Sequence, residues 1–286
     1  MSKFFIISYQ ALGLKKKYVL FAVLYGISSL VVPLTTQYLV NQLSLSAIFI
    51  NTLTFVIVLT ILLTLSQLFK YCQSILSEYI QREIFVTEAQ KWKAFNITEK
   101  APYFFEVHNS MKTFSSSLSQ IIELGLLLFF GLIVVLTFHP AFLVLLILLG
   151  TTMFLIFQRW PSAIKASLEE SNHKYKLFRL KAQGKEFNEE DLTNFLSARD
   201  KHFSFVKRNT IIVAWMFVIG HLYLIGVGIY LIQVEQLSLG QLVSAEIILS
   251  GILGSLTRFP KTLEDLYDYE TSKYKLKYAL EGEGIP

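Results

Sequence analysis

The sequence predicts an all-α membrane protein with six spanning helices, and three observations predict it. All 26 Lys and Arg residues fall in four stretches, 1–17, 70–112, 159–208 and 258–286. The gaps between them are 52, 46 and 49 residues long and hold only three carboxylates, Glu123, Glu235 and Glu246, among dense Leu, Ile, Val and Phe. Overall 53% of residues are hydrophobic and 16% are charged, where about a quarter are charged in a soluble domain.

Gap length sets the number of crossings. A hydrocarbon core of roughly 30 Å takes about 20 apolar residues per helix, so each gap suits two helices and a tight turn. Each pair leaves and returns, which puts all four basic stretches on one side. Basic loops are retained in the cytoplasm. The expected layout is three hairpins in the cell (inner) membrane, multi-pass, with both termini cytoplasmic and residues 1–286 forming a single transmembrane domain.

The elements follow in order. Helix 1 spans about 18–40 and contains Pro33, which should kink it or mark an unwound point. After a turn at 41–51, helix 2 starts near Thr52. It meets no Gly or Pro before Pro102 and carries a stripe of Leu76, Ile80 and Ile84 that drifts to Phe85, Ala89 and Trp92. It is therefore expected to project from the bilayer to about residue 95. Residues 96–109 form a tip with a proline and three adjacent aromatics, and the chain climbs back into helix 3, about 113–137. A turn at Phe138, His139 and Pro140 leads to helix 4, about 141–182, which leaves the membrane near Gln158.

The excursion 159–208 is too long for a structureless loop. Ile164, Leu168, Tyr175 and Phe178, spaced 4, 7 and 3 apart, mark a helical face. Asn188 followed by Glu189, Glu190 and Asp191 reads as a helix start with its acids at the positive end of the dipole. Helix 5 then spans about 189–232 and helix 6 about 240–280, both including extensions beyond the bilayer.

Several function classes are set aside. The formal net charge of +5 reflects positive-inside topology, with anionic headgroups near Lys15, Lys16 and Lys17; no basic stretch is patterned to read nucleic acid. A lone cysteine, Cys72, excludes an intrachain disulfide and a Cys-based metal site. His108, His139, His173, His202 and His221 show no ligand spacing, and no nucleophile and base are placed by a motif. No cleavable signal peptide is expected at the start. The chain is expected not to be an enzyme and to bind no cofactor itself. It holds no G-x-x-x-x-G-K-[ST] phosphate loop, since Gly184 and Lys185 come closest but 179 is Arg and 186 is Glu.

The candidate functional residues carry two readings each. Glu246 lies within helix 6, where an ionised carboxylate at the bilayer centre costs on the order of 3 kcal/mol, with Ser250 and Gly254 on the same face. They are either one wall of a water-filled translocation path or a packing surface with Glu246 near the outer headgroups. In the second reading Gly240 with Ser244, or Gly251 with Ser255, form close-packing pairs. Gln37 and Asn41 on helix 1 and Gln67 on helix 2 either line a path or hydrogen-bond between helices. Glu123 reads as interfacial, and His221 as a hydrogen-bonded imidazole or a proton relay. Tyr103, Phe104 and Phe105 either plug a cleft on a cytosolic partner or fold inward at the tip.

Two long excursions on one side resemble the transmembrane domain of an ABC exporter of the six-helix type, in which helix pairs 2–3 and 4–5 extend into the cytoplasm. Pro102, Tyr103, Phe104, Phe105 and Glu106 resemble the family's first coupling tip. Residues 237–242 resemble the outer turn that opens helix 6. Lys261, Leu263, Asp268, Ser272, Lys273 and Leu276 resemble the descent toward the ATPase. Similarity is greatest to the branch associated with polypeptide secretion.

The resemblance implies a permease subunit working by alternating access, paired with a second copy or a related transmembrane subunit. It implies coupling through residues 102–106 to a nucleotide-binding ATPase subunit that carries ATP and magnesium, and a periplasmic adaptor as a further partner. Two departures stand against it. No fused ATPase is expected, since residues 1–286 hold no phosphate loop, and only about 180–188 separates helices 4 and 5, short for a separate coupling helix. An ATP-independent secondary transporter, or a non-transporting scaffold or accessory subunit, are the alternatives.

Overall fold

The computed structural model describes the backbone of residues 3–44, 52–92, 101–182, 184–186 and 188–281. Side chains are described over 15–44, 54–83, 116–178 and 188–272, and at 86, 113, 180, 181 and 184–186. Eight α-helices make up the described chain: α1 Lys3–Ser28, α2 Val31–Ser44, α3 Thr52–Trp92, α4 Ala101–Phe138, α5 Leu143–Phe157, α6 Trp160–Ala182, α7 Glu189–Gln233 and α8 Leu239–Glu281. No strand occurs among the described residues. Six spans are long and apolar enough to cross a membrane, with α1–α2 and α5–α6 each forming one of them. The chain is thus a helical bundle compatible with a multi-pass membrane protein.

Local sequence explains where the helices break. Pro33 has no N–H for the carbonyl of Ser29 and its ring crowds that group; the first span turns at residues 29–30, where Leu30 N bonds Ile27 O at 3.2 Å, one residue short of the α pattern. Pro161 acts the same way on Phe157, and the fourth span, expected as one helix over 141–182, turns at residues 158–159. Pro260 sits inside α8 without ending it. Helix α4, which carries the third span, begins at Ala101 rather than near 113. Pro102 lies in its first turn, where a missing N–H costs nothing, and no Gly or Pro interrupts the chain before Gly125. Helix α1 starts at Lys3, fifteen residues before the expected 18, and runs on through Lys15, Lys16 and Lys17.

The turns are built from recognisable caps. Asn188 accepts from Asp191 N at 2.9 Å and starts α7. Ser238 and Gln241 bond reciprocally, Ser238 N to Gln241 Oε1 at 2.8 Å and Gln241 N to Ser238 Oγ at 3.1 Å, which is a capping box. His139 Nδ1 accepts from Ala141 N at 3.1 Å before Pro140. Helices α6 and α7 both end in a left-handed residue. Lys185 N bonds Leu180 O at 3.0 Å past Gly184, and Gln236 N bonds Leu231 O at 2.8 Å past Glu235.

Helix α8 is the most buried span and the hub of the bundle, packed on α2, α4, α6 and α7. Its Ile248, Leu249, Ile252, Leu253, Leu256 and Leu263 are sealed from solvent together with Phe142, Leu145 and Ile156 of the fourth span. Small residues let the backbones close. A Cβ on Gly240 would strike Asn41 Oδ1 and the carbonyl of Gln37, and one on Gly228 would strike Leu242. By contrast α3 is the least buried span, with Ile57, Ile61 and Leu68 among its exposed side chains.

Candidate functional site

One polar cluster stands inside the apolar band. His221 lies twelve residues before the end of α7, and Glu246 and Ser250 lie seven and eleven residues past the start of α8. At about 1.5 Å per residue, all three sit about 10–18 Å along their helices from the α7–α8 turn, within a core of roughly 30 Å. His221 Nε2 is 3.2 Å from Glu246 Oε1 and 3.1 Å from Ser250 Oγ, and Ser250 Oγ donates to Glu246 Oε1 at 3.3 Å. On its other side His221 Nδ1 is 2.8 Å from Phe217 O.

The backbone carbonyl fixes one end of the imidazole. A carbonyl only accepts, so Nδ1 carries a hydrogen toward Phe217. Nε2 then faces Glu246 Oε1 and Ser250 Oγ, so imidazole, carboxyl and hydroxyl form one hydrogen-bonded group with Glu246 a third exposed. Glu246 Oε2 is buried and has no partner.

This cluster opens onto a strip of α8. Ser250 and Gly251 are exposed, Gly254 and Ser255 are partly so, and Thr257, Arg258 and Lys261 continue the line to the charged end. A side chain on Gly254 would meet nothing within 4 Å. Glu246, Ser250 and Gly254 therefore share one accessible face. Gln37 is not on it: its carbonyl abuts Gly240, and Asn41 Oδ1 accepts from Gly240 N at 3.0 Å, on the face of α8 that meets α2. Ser244 is fully buried, so of the two small pairs Gly240 with Ser244 lies inside and Gly251 lies outside.

Residues 102–106 form the first turn of α4; their side chains, like that of His108, lie outside the described residues, as do residues 45–51 and 93–100 and the side chains of Lys273 and Leu276. In the second tip, residues 184–186 and 188 are not helical, and Lys176 bridges the two helices to Asp191 at 2.6 Å. Gln67 is exposed. Glu123 lies 3.9 Å from Lys70, whose ammonium also donates to Tyr25 OH at 3.3 Å and stands 4.8 Å over its ring.

A second network ties α6, α7 and α8 together beyond the apolar band. Glu170 accepts from Arg199 at 3.0 Å and faces His202 Nδ1 at 2.6 Å. Arg199 reaches Glu264 at 3.5 Å, and Glu264 pairs with Lys261 at 3.1 Å. Ser167 donates to Asp268 at 3.2 Å and shares a hydrogen bond with Thr271. Burial opposes ionisation of Glu170, but His202 and Arg199 outweigh it and hold the carboxyl below its usual range.

The sequence places Glu246 and Ser250 on one face of helix 6 but leaves His221 apart, so its meeting with them was not read. The signal was present: His221 and Ser250 are equally far from the turn at Glu235 and Gln236, so a hairpin folded there sets them opposite each other. No group of three or more His, Cys, Asp or Glu able to hold a metal occurs among the described residues. Compared with known protein families and with curated proteins, the chain matches none.

Proposed function

We propose that this chain is the membrane-spanning permease subunit of an ABC-type exporter, forming a translocation path by alternating access. The observation that carries the reading is the accessible polar face of α8, where Glu246 and Ser250 meet His221 at the depth of the apolar band. A face bearing a carboxylate, an imidazole and hydroxyls is costly against lipid and stable against water. Gly254 leaves room beside it. A second copy or a related transmembrane subunit facing this strip would complete the path.

The mechanism needs an energy source outside these 286 residues, because they contain no phosphate loop. A nucleotide-binding ATPase subunit would hold ATP and magnesium and dock at residues 102–106. The continuous helix α4 would carry its movement to the bilayer, and the ion pairs among α6, α7 and α8 would make the opposite arm one lever. In this reading the Lys- and Arg-bearing end lies in the cytoplasm.

Copurification tests it. An ATPase chain should accompany this one from native membranes, and the purified chain alone should hydrolyse no ATP. Phe104→Ala or Phe105→Ala should abolish transport while leaving membrane insertion intact. ATP turnover by a clean preparation, or unchanged transport in both variants, would overturn the reading.

The contact of His221 with Glu246 at the depth of the apolar band favours a second reading, an ATP-independent secondary transporter driven by protons. Transport that persists without ATP and collapses with the proton gradient would select it. A bare scaffold would show neither dependence.

A further inference from the structure

Two arginines with no ion pair among the described residues stand where the chain crosses from its apolar to its charged part. Arg159 is the first basic residue after the second apolar gap and Arg208 the last before the third. Arg208 Nη2 donates to Leu155 O and to Asn209 Oδ1, both at 3.3 Å. It thereby caps a carbonyl left free by the turn between α5 and α6. Its Nε–H is buried with no partner. Leu155 lies four residues before Arg159, so the bond to its carbonyl holds the Arg208 guanidinium next to the turn that carries Arg159, where the two like charges oppose each other; among the described residues neither arginine forms an ion pair with a carboxylate.

This arrangement differs from that of Lys176, Arg199, Lys201 and Lys261, each of which holds a carboxylate. A partly buried guanidinium with an idle donor and a like-charged neighbour is unsatisfied both electrostatically and in its hydrogen bonds. An anion between the two arginines would balance their charge and accept from the guanidinium N–H groups that remain accessible. Phosphate suits them best, because its oxygens match the guanidinium fork.

The surroundings say what carries that phosphate. Ile211 and Trp215 follow Arg208 at i+3 and i+7 on one face of α7 and are 48% and 63% exposed. Phe154 in the last turn of α5 is 65% exposed. Phe157 packs on Trp160 with ring centroids 5.8 Å apart, aromatic residues of the kind found at headgroup level. Positive charge at the edge and open apolar surface on the membrane side match a molecule with an anionic head and apolar tails. We propose that Arg159 and Arg208 bind the phosphate of an anionic phospholipid, whose acyl chains lie along the exposed surface of α5 and α7.

Native mass spectrometry of the detergent-purified full chain tests this, titrated with phosphatidylglycerol and with phosphatidylcholine. The chain should retain phosphatidylglycerol about tenfold more tightly, the equivalent of one charge-assisted contact. Arg159→Glu should erase that preference. Arg159 is exposed, so this variant should fold, and an unchanged or higher unfolding midpoint checks that it has, since the introduced carboxylate would pair with Arg208. Inorganic phosphate at millimolar concentration should not displace the lipid. Equal retention of the two lipids, an unchanged preference in folded Arg159→Glu, or displacement by inorganic phosphate would each overturn the proposal.

Discussion

His202 Nδ1 lies 2.6 Å from Glu170 Oε2, joining α7 to α6 with the imidazole only 1% exposed. Its other nitrogen is buried without a partner, and its ring stands edge-on to Tyr267 of α8 at 6.1 Å. The pair therefore sits where three helices converge. Because the folded state holds Glu170 below its usual carboxylate range, the contribution is fully present above the ordinary Glu value of about 4.3. It is lost as pH falls through the lower folded value. Glu170→Gln should lower the neutral-pH stability by about 1–3 kcal/mol and flatten the acid limb of the unfolding midpoint against pH. A variant whose acid limb matches the parent would remove Glu170 from that role.

Glu235 offers a test in the opposite direction. It adopts φ 58° at the end of α7, the left-handed region that costs a side-chain-bearing residue roughly 1–2 kcal/mol. Gly184 fills the equivalent place after α6 without that cost. Glu235→Gly should raise the unfolding midpoint in detergent, by up to about 1 kcal/mol after the entropy that glycine loses on folding. A lower midpoint would mean that the exposed carboxylate contributes more than the backbone strain removes.

Two glycines on α8 should respond differently to the same change. Gly240→Ala pushes a methyl into the carbonyl of Gln37 and into Asn41 Oδ1, and the hydrogen bond from Gly240 N to Asn41 must lengthen. Overpacking of this kind costs about 1–3 kcal/mol. Gly254→Ala enters open space and gains up to about 1 kcal/mol of helix propensity. Thermal unfolding of the two variants side by side should move in opposite directions, and equal shifts would count against the α2–α8 contact.

What the sequence made legible was local. Asn188 could be read as a cap because its partner, Asp191, lies three residues on, and Pro33 announced a break that the backbone makes at residues 29–30. The break at residues 158–159 and the capping box of Ser238 with Gln241 were not read, although both signals are local: Pro161 stands two residues past the break, and Gln241 three past Ser238. The contacts that matter at the candidate site were harder to read because they depend on which residue pair a hairpin closes around. Once the closing pair is known they become simple. Glu170 and His202 are each sixteen residues from Glu186, as His221 and Ser250 are equally far from the turn at Glu235 and Gln236. The link from Gly240 to Asn41, 199 residues apart, has no such shortcut, because it joins the first span to the last.

The strip on α8 makes the most direct prediction about a path. With Cys72 replaced by Ser, the chain becomes a cysteine-free background for single cysteines along α8. Ser250→Cys and Gly254→Cys place a thiol on the accessible face. Ser244→Cys and Ile252→Cys place one where the side chain is fully buried. A water-soluble maleimide reacts with a thiolate, which forms in water and not in lipid. Lipid-facing and buried thiols should therefore stay silent, and only thiols in a water-filled path should be modified. Positions 250 and 254 should label in intact membranes, 244 and 252 should not, and Leu222→Cys, on an exposed apolar position of α7, separates lipid exposure from water exposure. Labelling at 250 and 254 no faster than at 222 would leave the polar face of α8 without water, and with it the path. In that case the His221–Glu246 pair would be a packing contact between helices.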